Sequence, residues 1–483
     1  MGISMFVAAG LSAALVQAPA GADPVPVEER LEQALQSMEP PVIVAGRSYR
    51  PRPVTDLMLR ANVPGISIAV VEDGRIVWAR AFGVANRATG RAVTPETMFQ
   101  AASISKPVAA SGALALVDQG ALSLDRPVNE QLTSWQVPAH EFSEAVTLRR
   151  LLTHTAGLTV HGFPGYAADA PLPTVVQVLN GAAPANTAPV RVDLQPGSRW
   201  RYSGGGITVA QLLMTDVTGE PFPALLERLV LRPLGMERST FEQPLSDARS
   251  GAAATAHGPE GEPLPGRFHV YPEMAAAGLW TTPSDLARWA AAISAAFNGE
   301  GGGPIRPETA RAMLTPAGGS NLGEWGLGIA LQGEGRDLRF WHTGVNKGFR
   351  AALWSYPLRQ QAVVIMANGD QGNEVLGPVR IAVGRVFGWP GSEQKIITPA
   401  TVTPQSRIEQ VGYYTSPRFS VHVGLTDAGL ILAANRGDPV EAIPQAQDVY
   451  ALAAGGERLQ FERDAAGRVS GLKLDGLELQ RAP

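Results

Sequence analysis

Apolar runs of strand character stand at both ends of the first 390 residues and are missing from the middle, and this separation limits the fold more than any other feature. At the front, Ile66 to Val71 and Arg75 to Ala79 flank Glu72-Asp73-Gly74. An Asp-Gly pair between apolar runs is a hairpin signal, because both residues tolerate the positive φ of a tight turn. At the back, strands are expected at about Gly326 to Leu331, Leu338 to His342, Phe349 to Tyr356 and Ala362 to Ala367, then a helix near Val375 to Phe387. Helices are read between them at about Ile207 to Thr218, Pro223 to Leu231 and from Thr282 onward, where Thr282 or Ser284 caps and Pro283 fits the first turn. If the two strand groups form one antiparallel sheet, helices must cover its faces. The expected fold class is α/β of the α+β kind: an antiparallel sheet flanked by helices, with an all-helical insert.

From Trp389 to about Gln405 the composition turns to Pro, Gly, Ser and Thr, as in a linker. Short alternating runs follow, such as Phe419 to Val423, Gly429 to Leu432 and Val469 to Leu479, and they predict a small C-terminal antiparallel β-barrel without a catalytic group of its own. The expected division is a signal peptide at 1–22, a main domain at 23–390, a linker at 391–405 and an all-β domain at 406–483. The first residues carry an apolar run ending near Ala20-Gly21-Ala22, short for a bilayer span but suited to a signal peptide, although Lys and Arg are absent from its start. Periplasmic or secreted location and no transmembrane anchor in the mature form are the expectations.

A net charge of -4 gives no strong field for nucleic acid or an anionic membrane. Cysteine is absent, which removes disulfides, thiolate metal sites and cysteine nucleophiles together. The 7 histidines include no His-Glu-x-x-His spacing, so no metal and no other cofactor is expected.

Chemistry concentrates at Ser103-Ile104-Ser105-Lys106. Residues three apart on a helix share a face, so Ser103 and Lys106 can touch. Ser103 opens a helical pattern whose apolar positions include Val108, Leu114 and Val117 and which Gly120 stops. The same spelling at Ser392 to Lys395 lies in the linker, and at Ser470 to Lys473 in a strand, where positions three apart face opposite ways. The chain has 40 Lys plus Arg but lysine only at 106, 347, 395 and 473. Arg cannot release its proton and Lys can, so a lysine here is a candidate base once burial lowers its pKa. A serine hydroxyl beside such a base is a candidate nucleophile.

Two later stretches add a tyrosine and a histidine. Arg201-Tyr202-Ser203-Gly204-Gly205-Gly206 places Tyr202 on a glycine-rich loop before a helix, and Phe340-Trp341-His342-Thr343-Gly344 ends a strand whose glycine lets a substrate lie against the strand edge. In this order, Ser-x-x-Lys, Tyr-Ser-Gly and His-Thr-Gly resemble the three motifs of the penicillin-recognising serine hydrolases, which include class C β-lactamases, D-alanyl-D-alanine carboxypeptidases, D-aminopeptidases and β-lactamase-like esterases. Leu151 to Leu158, Pro233 to Met236 and Gly278 to Leu286 are similar to further segments of that group, and the likeness covers roughly residues 50 to 390.

The resemblance implies a β-lactamase/transpeptidase-like fold and an acyl-enzyme. Ser103 would attack, Lys106 and Tyr202 would share the proton transfers with the acylation base left open, and the N–H groups of Ser103 and Val345 would form the oxyanion hole. His342 stands where β-lactamases carry Lys, and Gly204 where an Asn usually orients the lysine and the substrate amide. Gly204 weakens the case for efficient lactam or peptide hydrolysis, while His342 fits a peptide-like or ester substrate better than lactam breakdown; the expected substrate is an ester or a D-amino-acid-containing amide or peptide, which includes cell-wall-derived peptides. Thr343 and Gly344 would line the substrate, Lys347 and Arg350 would bind its carboxylate, and His154 would be structural. The competing readings are a class C-type β-lactamase and a slowly acylating penicillin-binding sensor or binding module.

Overall fold

The computed structural model describes residues 25–482, apart from 321–322, 417–418 and 435–438. The expected signal peptide lies outside the described residues.

The two strand groups do join. Gly65–Glu72 and Arg75–Asn86 form the expected hairpin, with Asp73 (φ 50°) and Gly74 (φ 72°) as its turn. The first of these strands pairs antiparallel with Gln361–Ala367, in register from Ile66 opposite Ala367 to Val71 opposite Ala362. Phe349–Tyr356 and Arg339–Asn346 continue the sheet, which has nine strands among the described residues. Gly65–Glu72 is an interior strand, flanked by Arg75–Asn86 and Gln361–Ala367, and strand alternation splits its side chains between two cores. Ile66, Ile68 and Val70 pack toward the helices Val27–Gln36, Val54–Arg60 and Asn373–Phe387. Ala69 and Val71 face the larger core shared with the helices Ser105–Asp118, Gly204–Thr218 and Pro283–Phe297. Thr282 supplies the cap of the last of these, accepting from the N–H of Asp285 at 3.2 Å.

The insert carries its long helix at Gly204–Thr218, but from Asp125 to Asp193 only Leu148–Leu152 and Val175–Asn180 are α-helical and the rest is turns and loops. Prolines at 138, 164, 171, 173, 184 and 189 interrupt that stretch, each removing a donor a helix would need.

The presumed linker is built into the fold. Lys395–Ile397 pairs parallel with Val42–Val44, and Thr403 caps a helix at Pro404–Gln410. Composition marked the turns of this segment, while Ile396 and Ile397 supply strand propensity that the prolines obscured. Val42, Val44 and Ile397 pack against Ile443 and Ala451, which seats the C-terminal module on the main domain. That module is a closed eight-stranded antiparallel barrel, running from Gly412–Ser416 to Leu477–Arg481, which pairs back with the first strand. Its interior is filled by side chains including Tyr414, Val423, Tyr450, Phe461 and Leu472. The run at Val469 to Leu479 is two strands turned at Asp475-Gly476, and the strands Gly412–Ser416 and Val440–Ala446 escaped the alternation pattern.

Candidate active site

The chain reaches Ser103 through a tightly tied turn. Phe99–Gln100 pairs with Trp280–Thr281, and the N–H of Ala101 donates to the Leu279 carbonyl at 2.8 Å. Ala102 then takes φ 50°, a region where a side chain is unfavourable, and residues 102–104 make a 3₁₀ turn into the helix Ser105–Asp118. Strain at the residue before a candidate nucleophile persists only when its surroundings enforce it. Ser105 does so, its hydroxyl accepting from the N–H of Leu279 at 2.9 Å and donating to the Ala102 carbonyl. One turn on, Lys106 Nζ lies 3.0 Å from Ser103 Oγ and donates to the Ala276 carbonyl at 2.7 Å. The lysine is buried, and burial brings its pKa down to about 7.

Tyr202 precedes the helix Gly204–Thr218, which Ser203 caps by accepting from the N–H of Gly206 at 2.9 Å. The segment 159–163 lies against this helix start: the N–H groups of Gly204 and Gly205 donate to the carbonyls of His161 and Val160, each at 3.0 Å. A Cβ at 204 would stand 3.0 Å from a Phe163 ring carbon and 3.1 Å from the His161 carbonyl, and one at 205 would stand 2.9 Å from the Thr159 carbonyl. A side chain at 204 would therefore press on this segment, which would have to give way to admit it.

The Tyr202 ring is flanked by His154 and His161, with centroids 4.4 and 4.9 Å away, and Lys106 Nζ lies 5.0 Å from its centre. Burial pushes the phenol well above its ordinary pKa, with the Ser103 hydroxyl opposing in part, so the group stays protonated. His154 accepts from the N–H of Ser203 through Nδ1 at 3.2 Å, and burial first, then Lys106, drives its pKa far down. It is a neutral ring that positions Ser203 and Tyr202, in keeping with a structural role.

The strand Arg339–Asn346 pairs with Ala330–Gln332 only as far as Trp341, so its further edge runs free past the nucleophile turn. A Cβ at Gly344 would fall 2.2 Å from the Ala101 carbonyl. The space that the sequence assigned to a substrate is used by the turn itself. His342 Nδ1 is 2.7 Å from the Thr343 carbonyl, while its Nε2 is buried without a partner. Burial, then Lys106, lowers this imidazole to about 3, so it is neutral.

Ser103, Lys106, Tyr202, His342, Thr343 and Val345 line one cavity of about 1500 Å³. Lys347 and Arg350 do not line it. Both are drawn to Asp370, with Lys347 Nζ at 3.0 Å and Arg350 at 3.1 Å, so the expected carboxylate readers are held outside the cavity by an internal acid. Sequence reasoning missed the rest of the wall: His161 and Phe163, Arg199 and Trp200, Trp325, and Ser416, Phe419 and Leu477 of the barrel. Arg199 and Trp200, standing directly before the tyrosine motif, carried a signal in their proximity along the chain.

Comparison with known proteins gives the family. A family model named Beta-lactamase matches residues 46–384. The chain belongs to the β-lactamase family. Among curated proteins it is similar to Esterase EstB of Burkholderia gladioli, 30% identical over 271 residues that make up 50% of this chain and 69% of the esterase. It is also similar to Penicillin-binding protein 4 of Amycolatopsis lactamdurans, 31% identical over 184 residues, 37% of this chain and 45% of that protein. Among solved structures, an octameric penicillin-binding protein homologue from Pyrococcus abyssi shares the fold at TM-score 0.62, with 21% identity over 88% of this chain and 97% of the other. No helix among the described residues is long and apolar enough to cross a membrane.

Proposed function

We propose that this protein is a serine hydrolase working through a covalent acyl-enzyme on an ester or a D-amino-acid-containing amide or peptide. The observation that carries the reading is the buried Lys106 amine, 3.0 Å from Ser103 Oγ and titrating near 7, in a cavity shared with Tyr202. At neutral pH and above the free amine keeps one N–H on the Ala276 carbonyl and turns its lone pair to the serine hydroxyl. Tyr202, held protonated by burial, is unsuited to be the resting base, so the acylation base is assigned to Lys106.

In the proposed reaction Ser103 Oγ bonds to the substrate carbonyl carbon and its proton passes to Lys106 Nζ. The oxyanion is received by the N–H groups of Ser103 and Val345, a kind of contact worth about 3–4 kcal/mol per donor. Collapse breaks the bond to the leaving group, which takes its proton from the Lys106 ammonium through the Tyr202 hydroxyl. Water then adds to the ester, gives a proton to Lys106, and Ser103 leaves with that proton. The packed segment against Gly204 favours ester and simple acyl substrates over lactams, because no side chain there can grip a lactam's amide. Export, with residues 1–22 removed, belongs to the same proposal, and cell fractionation checks it.

Intact mass after fluorophosphonate treatment tests the chemistry. One adduct is expected on the wild type and none on Ser103→Ala, together with many turnovers of p-nitrophenyl butyrate. A single stoichiometric burst without turnover would favour the slowly acylating sensor instead.

A further inference from the structure

Among the described residues, the side chains lining the cavity include no Asp or Glu. Among the described residues three of them are Lys or Arg, and two of these are accounted for. Lys106 is held near neutrality by burial. Arg201 forms an ion pair with Asp193 and donates to the Gly157 carbonyl at 2.7 Å. Arg199 alone among them is exposed to the cavity without a hydrogen bond or an ion pair among the described residues.

Elsewhere around the site, the cations are held by protein acceptors. Lys347 and Arg350 share Asp370, and Arg350 also donates to the carbonyls of Asn346 and Phe349, each at 2.8 Å. Much of the remaining wall is apolar or aromatic, with Trp200 and Trp325 on one side and Phe419 and Leu477 of the barrel contributing. A cavity of this kind fixes a substrate by a few placed polar groups. A guanidinium with its fork free pairs preferentially with a planar anion.

We propose that Arg199 is the carboxylate-reading residue of this site, and that the preferred substrate carries a carboxylate on its leaving group. The side follows from the chain: Arg199 stands three residues before Tyr202, the group assigned to protonate the leaving atom, and on the same irregular segment. This rests on the serine hydrolase reading. It moves carboxylate recognition from the strand that bears His342, where the sequence placed it, to the Tyr202 wall.

Two substrate pairs test it. The first is the thioester of N-benzoylglycine with thioglycolic acid, and the same thioester with the thioglycolate carboxyl methylated. The second moves the charge to the acyl side: mono-p-nitrophenyl glutarate against p-nitrophenyl butyrate. The ratio of kcat/KM for charged over neutral substrate is expected to exceed one in the first pair and to fall about 10- to 100-fold in Arg199→Glu, the range that loss of a hydrogen bond to a charged group covers. Most of the fall is expected in KM, Arg199→Lys should retain part of the preference, and added salt should weaken it in the wild type.

A fault in folding lowers both members of a pair alike, so an unchanged first-pair ratio in Arg199→Glu overturns the proposal. A ratio that moves only in the second pair overturns the leaving-group assignment. Failure of the wild type to turn over any of the four compounds, with no labelling of Ser103, would instead sink the hydrolase reading.

Discussion

Replacing or titrating Lys106 probes the site most directly. With an amine that ionises near 7, kcat/KM for p-nitrophenyl butyrate should rise about tenfold between pH 6 and pH 8 and level off above, because only the free base accepts the serine proton. A lysine at its ordinary 10.5 would give about a hundredfold rise over the same interval and no plateau below pH 10. Lys106→Arg keeps the charge and cannot lose the proton, so a loss of about 10²- to 10⁴-fold in kcat is expected. His154 and His342 are both driven low by burial, so neither supplies this limb.

The same shift bears on stability. The folded pKa lies below the unfolded one, so between about 7 and 10.5 the unfolded chain binds more protons and stability rises with pH across that window. Below 7 the full cost remains, about 5 kcal/mol for a pKa moved from 10.5 to about 7, against two hydrogen bonds worth roughly 1 kcal/mol each. Lys106→Met should therefore be inactive yet melt a few degrees higher at pH 6 to 7, an advantage that shrinks toward pH 10. A pH profile without an inflection near 7, or a methionine variant that melts lower at pH 6, would refute the account of Lys106.

Other substitutions test the surroundings. Gly204→Asn must push aside Phe163 and the His161 carbonyl, so it should cost about 1–3 kcal/mol in thermal denaturation and confer no nitrocefin hydrolysis; gain of that activity would show the space to be open. Gly344→Ala brings a methyl within 2.2 Å of the Ala101 carbonyl and should lower kcat about 100-fold by shifting the nucleophile turn; near-normal turnover would contradict this packing. Phe419→Ala removes a ring from the barrel side of the cavity and should reduce the preference for p-nitrophenyl octanoate over the acetate about tenfold, and an unaltered chain-length profile would remove the barrel from substrate selection.

What the sequence conveyed follows from how local each feature is. The Asp73-Gly74 turn, the cap at Thr282, and the spacing of Ser103 to Lys106 depend on residues within one turn of each other, and all three are found as expected. Pairing of Gly65–Glu72 with Gln361–Ala367 could be inferred because two strand groups without partners must find one. Contacts between distant loops left no such mark. Nothing in His161-Gly162-Phe163 announces that it packs on Gly204, and nothing at Lys347 or Arg350 announces Asp370. The barrel's tips could not be assigned to the cavity either, since the alternation of its strands encodes an inside and an outside and says nothing of what lies beyond a hairpin.

One physical cause connects the parts of this site. Removing water from the turn at Ser103 lowers Lys106 toward 7, keeps Tyr202 protonated and holds His154 and His342 uncharged. No ion pair with Lys106 is found among the described residues; its Nζ meets a carbonyl and a hydroxyl, both neutral. A carboxylate beside it would restore the ordinary lysine pKa and with it the ammonium form, which cannot serve as a base. The same reasoning fits a cavity wall that has no acid among the described residues, since an Asp or Glu close to Lys106 would work against the free amine.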